Sequence, residues 1–221
     1  MSSPAAPQAV SLRISEIFFS VQGESSRVGL PTVFVRLTGC PLRCTWCDTE
    51  YAFTGGKMMS LDEILCEVTK HRTPYVCVTG GEPLAQKACL DLLTALCEAG
   101  FSVSLETSGA MDVSGVDARV SKIMDLKAPG SGEVQKNRLA NLAHITAQDE
   151  IKIVLKDETD YQWARQMLTE HGLTSRCPVL FSPVQGALSP ADLAEWILRD
   201  HLPVRMQVQL HKVIWGNVPG R

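Results

Sequence analysis

Apolar residues fall into two alternating patterns along the chain. Short runs rich in β-branched and aromatic residues predict strands at 11–19, 32–37, 75–78, 101–105, 120–125, 150–155, 178–181 and 206–210. Apolar positions at helical spacing predict helices at 61–71, 84–99, 159–170 and 190–199, with a weaker helical turn near 134–141. This alternation of strands and helices is typical of an α/β fold with a mainly parallel sheet and helical crossovers.

Three helix boundaries carry their own signals. Ser60 and Ser189 are candidate N-caps, and Glu63 completes a capping box after Ser60. Gly100 is predicted to end the helix at 84–99, because glycine adopts the backbone conformation that terminates helices.

Polar sequence rich in glycine and proline follows most of the predicted strands. The segments are TGCPLRCTWCDT, TGGEP, ETSG, LKAPGSGE, SPVQG and the short HK. Functional residues of parallel α/β folds gather at the carboxyl ends of the strands. We therefore expect these loops to converge on one site at one edge of a barrel or half-barrel.

Length and composition are those of a globular protein. The 221 residues suffice for one large domain, predicted at 11–221, preceded by a flexible tail at 1–10. A formal net charge of −3 argues against a nucleic-acid-binding protein. No apolar run approaches the roughly 18 residues of a membrane span, and the N-terminus lacks the pattern of a signal peptide. We therefore expect a cytoplasmic protein.

Three of the eight cysteines stand apart from the others. Cys40, Cys44 and Cys47 follow the spacing C-x3-C-x2-C, which suits a metal or iron–sulfur site. Structural zinc needs four ligands, and no second Cys or His pair accompanies these three. An iron–sulfur cubane held by three cysteines would leave one iron free to bind a substrate or cofactor. The remaining cysteines, at 66, 77, 89 and 97, are interpreted as small buried apolar residues, and Cys177 as inert.

A second motif, VTGGEP, ends the predicted strand at 75–78. Its two glycines allow a close backbone approach to a ligand, and Glu82 places a carboxylate beside them. Alone, this motif is also common in structural turns.

Together, these motifs resemble the radical S-adenosylmethionine (SAM) superfamily. The resemblance rests on the three cysteines, on Trp46 before the last of them, and on GGEP one strand later. It implies a partial, open TIM-type barrel of the radical SAM type, a [4Fe-4S] cluster, and SAM bound to the fourth iron. In such enzymes a 5′-deoxyadenosyl radical takes a hydrogen atom from the substrate.

Further segments resemble one family within that superfamily, the 7-carboxy-7-deazaguanine synthases. They are FFSVQGESSRVGLPTVFVRLTGC, CDTEYAF, DLKAPGSGE and LHKVIWG. The resemblance implies a homodimeric lyase of queuosine biosynthesis that uses Mg²⁺ and a flavodoxin or ferredoxin-type electron donor. Its substrate would be 6-carboxy-5,6,7,8-tetrahydropterin, whose ring contracts with loss of ammonia after hydrogen abstraction at C6.

The same resemblance assigns roles to individual residues. The cluster ligands would be Cys40, Cys44 and Cys47, and Thr49 would bind Mg²⁺. The substrate would contact Val21, Gln22, Gly23, Glu24, Arg36, Thr79 and Pro219, with Arg36 on its carboxylate. Glu24, Arg36 and Thr49 would be the catalytic group. The SAM site would comprise Trp46, Cys47, Asp48, Gly81, Glu82, Glu106, Ser108, Asp125, Leu126, Lys127, Ser182, Pro183, Val184 and Gln185.

Simpler interpretations remain open for several residues. Asp48 and Thr49 also suit a turn or a helix cap, and Arg36 also suits an exposed strand position. Lys127 is compatible with a solvated side chain. Lys152 and Lys156 are interpreted as structural, and His211 and Lys212 as closing either the site or only the fold.

Three other functions compete with the pterin lyase. A radical SAM activating enzyme that places a glycyl radical on a protein partner would share the cluster motif. An electron-transfer iron–sulfur protein would be expected to have four cysteines and no GGEP motif. A zinc-stabilised binding module would need a fourth metal ligand.

Overall fold

The computed structural model describes residues 10–216, 218 and 220. The predicted N-terminal tail therefore lies almost wholly outside the described residues, and so does the predicted substrate contact Pro219. In the described part of the chain, no helix has the length and apolar character needed to cross a membrane.

A single sheet of nine strands runs through the described residues. The strands are β1 (Ser11–Val21), β2 (Pro31–Leu37), β3 (Lys57–Ser60), β4 (Tyr75–Gly80), β5 (Ser102–Thr107), β6 (Ser121–Asp125), β7 (Glu150–Leu155), β8 (Val179–Pro183) and β9 (Arg205–Met206). Their order is β3-β1-β2-β4-β5-β6-β7-β8-β9.

The sheet is mainly parallel and is not closed by hydrogen bonds. From β2 to β9 every neighbouring pair is parallel, whereas β1 pairs antiparallel with both β2 and β3. β3 and β9 form its two edges. This arrangement confirms the predicted open, partial barrel.

Five α-helices accompany the sheet in the described residues. They are α1 (Leu61–Thr69), α2 (Cys89–Glu98), α3 (Glu158–His171), α4 (Pro190–Arg199) and α5 (Leu210–Trp215). The weak helical turn predicted near 134–141 is a pair of 3-10 turns, Val134–Lys136 and Leu139–His144.

The helix predicted at 84–99 begins later, at Cys89. The Glu82 carboxylate accepts a hydrogen bond from the Leu84 amide and starts a short 3-10 turn, Pro83–Ala85. Next along the chain, the Gln86 side chain bonds the backbone of Arg13 and Thr38. These tertiary bonds hold 82–86 out of the helix despite its apolar spacing. As predicted, Gly100 follows the helix end with a positive φ of 88°.

The strand predicted at 206–210 is wrong beyond its first residue. Only Arg205–Met206 pairs with β8, and Leu210 already begins α5. Gln207 Oε1 accepts a hydrogen bond from the Ser25 amide, and Gln209 Nε2 donates one to Glu24 Oε1. These bonds to the loop between β1 and β2 draw the segment away from the sheet. The edge strand β3 was not predicted, because KMMS is short and pairs only with β1.

Two buried apolar clusters lie between the strands and the helices, on the face of the sheet that turns away from the cleft-lining side chains. One joins β1, β2, β4 and β5 to α1 and α2, and the other joins β6, β7 and β8 to α3 and α4. Cys77 and Cys89 are buried as predicted, and Cys177 is buried too. The prediction for Cys66 is wrong, because it lies on the outer face of α1 and is exposed, while Cys97 is only partly buried.

Both predicted serine N-caps are confirmed, and one gives a test of the fold. Ser60 Oγ accepts from the Glu63 amide at 3.2 Å, and the Glu63 carboxylate accepts from the Ser60 amide at 2.8 Å. Ser189 caps α4 through the Ala191 amide. Replacing Ser60 with alanine is expected to lower the free energy of unfolding by about 1 kcal/mol, measured by urea denaturation. Thr54→Ala, at an exposed loop position, is the control, and equal stability of the two variants would contradict this role.

Candidate active site

The carboxyl ends of the parallel strands open into one cleft of about 660 Å³. The loops that follow β2, β4, β5, β6 and β8 all contribute to its walls, as the sequence predicts. The predicted site residues that line it are Val21, Gln22, Gly23, Glu24, Arg36, Cys40, Cys44, Trp46, Cys47, Asp48, Thr49, Thr79, Gly81, Glu106, Ser108, Asp125, Lys127, Ser182, Pro183, Val184 and Gln185. Glu82 and Leu126 lie buried behind the wall, at 0% and 1% exposure.

The three motif cysteines stand on the loop after β2, where all three line the cleft and are partly exposed. In the part of the chain that the structure describes, no three His, Cys, Asp or Glu side chains are arranged to ligate a single metal ion. Each cysteine of a cubane cluster would bind a separate iron atom.

The GGEP turn packs directly against the cysteine loop. The Glu82 amide donates to the Gly39 carbonyl at 2.8 Å. A Cβ at position 81 would lie 2.3 Å from that carbonyl oxygen and 2.7 Å from Cys40 Cβ. Gly81 is therefore required for the close contact between the two loops, in addition to any approach to a ligand.

Glu82 is held by a full set of hydrogen bonds. Its carboxylate accepts from the Leu84 amide at 3.0 Å, the Ser108 amide at 2.7 Å and the Thr107 hydroxyl at 2.9 Å, and also from the Ser108 hydroxyl. These donors satisfy a carboxylate that is fully buried. Glu82 thus joins the GGEP turn to the end of β5.

Burial affects the cysteine thiols of the loop. It raises the pKa of Cys40 and of Cys44 above their ordinary values, whereas the nearby Lys127 ammonium acts in the opposite direction. Lys127 is only 16% exposed and its Nζ lies 3.0 Å from Asp125 Oδ2, so it is not a solvated side chain. A cation at this position favours thiolates, the form that binds iron.

Two polar atoms of the cleft wall have no partner among the described residues. Asp125 Oδ1 and Ser182 Oγ are buried and have no hydrogen-bond partner among the described residues. Both residues line the cleft. Buried polar groups are nearly always paired, so these atoms fit a polar ligand such as the amino acid or ribose part of SAM.

Arg36 projects from β2 into the cleft and is not a surface residue. Its Nε lies 2.7 Å from Glu16 Oε1 on β1, and its guanidinium lies 5.7 Å from the Phe18 ring and 5.9 Å from the Tyr51 ring. Although burial opposes it, Tyr51 and Glu16 raise the pKa of Arg36. Its two Nη groups bond no described residue, so a ligand carboxylate has two parallel donors available.

The loop between β1 and β2, residues 22–30, is called the hairpin loop below. Gln22 Nε2 donates to Glu106 Oε1 at 3.3 Å, and Thr79 Oγ1 donates to Glu106 Oε2 at 3.1 Å. Glu24 accepts from Lys152 Nζ at 2.5 Å and from Gln209 Nε2 at 2.6 Å. The predicted substrate residues Gln22 and Thr79 thus both bond the Glu106 carboxylate, and Glu24 is held nearby by Lys152 and Gln209.

Sequence reasoning missed Lys152 and left Lys212 undecided. The sequence indicates a structural role for Lys152, but its side chain lines the cleft and contacts Glu24. Lys212 Nζ lies 2.6 Å from Asp48 Oδ2, which ties α5 to the cysteine loop and supports closure of the site. The usable signal for Lys152 was its alternation with the buried residues Ile151 and Ile153, which places it on the opposite face of β7.

Gly23 gives a prediction for this part of the site. A Cβ there would lie 2.0 Å from His211 Nδ1, and the Gly23 carbonyl accepts from the Leu210 amide at 2.9 Å. Gly23→Ala is expected to displace His211 and to destabilise the protein by about 1–3 kcal/mol, seen as a lower Tm. The double variant Gly23→Ala, His211→Ala should regain most of the lost stability. If the single and the double variant are equally destabilised, the clash with His211 is not the cause.

Comparison with known proteins identifies the family. A 7-carboxy-7-deazaguanine synthase from Chlorobaculum tepidum is 50% identical over 208 residues, which cover 93% of this chain and 94% of that protein. The chain belongs to the 7-carboxy-7-deazaguanine synthase family. A 7-carboxy-7-deazaguanine synthase from Koribacter versatilis is 45% identical, covering 92% of this chain and 97% of that protein.

Two further comparisons agree with membership in the 7-carboxy-7-deazaguanine synthase family. The radical SAM superfamily matches residues 34–129. The crystal structure of QueE from Escherichia coli superposes with a TM-score of 0.74 at 25% identity, covering 91% of this chain and 95% of that one. The protein is therefore a radical SAM enzyme, and its superfamily implies a [4Fe-4S] cluster and SAM. Membership favours the lyase over the three competing functions.

Proposed function

We propose that this enzyme converts 6-carboxy-5,6,7,8-tetrahydropterin into 7-carboxy-7-deazaguanine and ammonia, for queuosine and related deazapurines. The observation that carries the proposal is the shared cleft. It joins the cysteine loop to Arg36, whose two Nη groups bond no described residue, and to the carboxylate of Glu24. A pterin carboxylate needs a guanidinium partner, and the N–H groups of the ring need oxygen acceptors.

The cofactors fit one side of this cleft. Cys40, Cys44 and Cys47 would hold the [4Fe-4S] cluster beside the unpaired Asp125 Oδ1 and Ser182 Oγ, which would bind SAM. When bound, these groups supply a 5′-deoxyadenosyl radical that takes a hydrogen atom from the substrate. The other SAM residues would be Trp46, Asp48, Gly81, Glu82, Glu106, Ser108, Leu126, Lys127, Pro183, Val184 and Gln185. Glu82 would act chiefly by holding Ser108 and the GGEP turn in place, since its carboxylate is buried.

The substrate would lie on the hairpin-loop side. Arg36 would bind its carboxylate, and Gln22, Gly23 and Glu24 would contact the ring together with Val21 and Thr79. Pairing with Lys152 keeps Glu24 charged, since it lowers the pKa of that carboxyl although burial opposes it. A charged Glu24 acts as a hydrogen-bond acceptor and orients the ring.

Thr49 would ligate Mg²⁺ together with substrate oxygens. Its hydroxyl lies at the cleft, 3.8 Å from Cys47 Sγ, and directly precedes the 3-10 turn Glu50–Phe53. Mg²⁺ prefers oxygen ligands and keeps several waters, so one hydroxyl and substrate oxygens suffice. Thr49 also stands at the N-cap position of this turn, but its side chain makes no cap hydrogen bond to the described residues.

The assembly and setting are part of the proposal. We place the enzyme in the cytoplasm as a homodimer, reduced by a flavodoxin or ferredoxin-type donor, with 11–221 acting as one domain and Pro219 near the substrate. These assignments rest on the resemblance of the site segments to the family and on the need of a radical SAM enzyme for a one-electron donor.

An anaerobic product assay tests the substrate assignment. The cluster-loaded protein is mixed with a reductant, SAM, Mg²⁺ and the carboxytetrahydropterin, and the mixture is analysed by mass spectrometry. We expect a product that has lost ammonia and that coelutes with 7-carboxy-7-deazaguanine. Cleavage of SAM with the pterin left unchanged would refute the assignment.

A further inference from the structure

Four charged groups of alternating sign form a row in the cleft. Lys152 Nζ lies 2.5 Å from Glu24 Oε2 and 3.5 Å from Asp125 Oδ2, and Lys127 Nζ lies 3.0 Å from the same Asp125 oxygen. All four side chains are at most 16% exposed. The charged row, defined as Glu24, Lys152, Asp125 and Lys127, thus runs from the hairpin loop across β7 and β6.

The two ends of the charged row serve different ligands in the proposed function. Glu24 stands on the substrate side, whereas Asp125 and Lys127 stand on the SAM side. Among the described residues, Lys152 is the group that contacts a carboxylate of both sides. It has no other role in the proposed reaction.

Lys152 is a buried, charged junction between the two sides. Although burial opposes it, the carboxylates of Glu24 and Asp125 raise its pKa well above the ordinary value, so the ammonium stays charged. Loss of this cation would leave Glu24 without a cationic partner among the described residues and Asp125 with Lys127 alone, and an unpaired buried charge is costly inside a protein.

The oxygens of Asp125 are used unequally. Oδ2 faces both Lys127 and Lys152, while the buried Oδ1 has no partner among the described residues. The two ammonium groups therefore fix the orientation of the carboxylate and turn one oxygen toward a ligand. A displacement of the Lys152 ammonium would therefore change the orientation of this oxygen.

We infer that Lys152 is a positioning residue that couples the pterin subsite to the SAM subsite. The inference rests on the proposed function. A pterin that engages Glu24 holds the hairpin loop and fixes the ammonium of Lys152, which in turn fixes Asp125. The charged row is then ordered before SAM binds, so SAM no longer has to offset the entropy of ordering it. The two ligands therefore bind with positive cooperativity. By linkage, SAM strengthens pterin binding by the same factor.

Equilibrium binding measures this coupling without turnover. SAM is titrated into the cluster-loaded, oxidised enzyme by anaerobic calorimetry, with and without saturating carboxytetrahydropterin. For the wild type we expect the pterin to lower the Kd for SAM about tenfold, within the usual range for coupled sites. Lys152→Met should reduce this factor to about one, and Lys152→Arg should recover part of it.

Lys122→Met is the matched control. Lys122 forms another buried pair on the same sheet, with its Nζ 3.0 Å from Asp149 Oδ2, but it does not line the cleft. Its loss should lower the Tm yet keep the wild-type coupling factor. If Lys152→Met does not fold, the double variant Lys152→Met, Glu24→Gln takes its place, because it removes the uncompensated charge, and its factor should also be about one.

Three results would overturn the inference: a wild-type coupling factor of one, a wild-type factor retained without Lys152, or an equal loss of coupling in Lys122→Met. A wild type that converts the pterin but shows no coupling refutes only the inference. A wild type that binds SAM and never binds the pterin refutes the proposed function and the inference together.

Discussion

Replacing Cys44 with alanine is expected to abolish both the iron–sulfur absorbance and all product formation. Three cysteines line the cleft, and a cubane held by three protein ligands does not withstand the loss of one. The measurement is anaerobic reconstitution followed by the visible spectrum, the iron and sulfide content, and turnover of the carboxytetrahydropterin.

Two other cysteines serve as controls for Cys44→Ala. Cys66 is exposed on α1, so Cys66→Ala should leave the cluster, turnover and Tm unchanged. Cys89 is fully buried in α2, so Cys89→Ala should lower only the Tm. Retention of a full cluster in Cys44→Ala would show that the ligands are assigned wrongly.

Replacing Arg36 with lysine is expected to lower kcat/KM for the carboxytetrahydropterin about 100-fold, or about 2.7 kcal/mol. Lysine keeps the charge but loses the planar pair of Nη donors, which bond no described residue and face the cleft. It also loses the Nε bond to Glu16 at 2.7 Å, which holds the guanidinium in place. Steady-state kinetics and the Kd for the pterin give the size of the effect.

Arg27→Lys is the matched control for Arg36→Lys. Arg27 also bonds a neighbouring element, through Ser102, and lies 5.7 Å from the Tyr75 ring, but it does not line the cleft. Its substitution should leave kcat/KM within about threefold of the wild type. A tetrahydropterin without the carboxylate should bind equally well to the wild type and to Arg36→Lys. If Arg36→Lys weakens binding of this analogue as much as binding of the true substrate, the proposed contact with the carboxylate is contradicted.

Local pattern accounts for most of the fold. β7 and α4 have the bounds that the apolar spacing predicts, because each element has a clear buried face of its own. The errors fall where distant side chains decide the backbone. Gln86 bonds Arg13 on β1 and Thr38 just after β2, which delays α2. Gln207 and Gln209 bond the hairpin loop, which ends β9 early.

The part of the candidate site that sequence motifs define was predictable. The part that depends on ion pairs between residues distant in sequence was not. The spacing of Cys40, Cys44 and Cys47 and the strand-end glycines indicate the cleft directly. Lys152 belongs to no motif; its alternation with Ile151 and Ile153 indicates its face of β7 but not its partners. Its partners Glu24 and Asp125 lie 128 and 27 residues away in sequence, so only the folded sheet brings the three together.

The most direct test of the central claim counts product against SAM. The reaction mixture contains cluster-loaded enzyme, Mg²⁺, reductant, carboxytetrahydropterin and a much smaller amount of SAM. If each turnover consumed one SAM, the amount of product could not exceed the amount of SAM added. Because SAM is expected to be reformed in each cycle, we predict several equivalents of 7-carboxy-7-deazaguanine per SAM, with an equal amount of ammonia. Formation of 5′-deoxyadenosine without any deazaguanine would contradict the account.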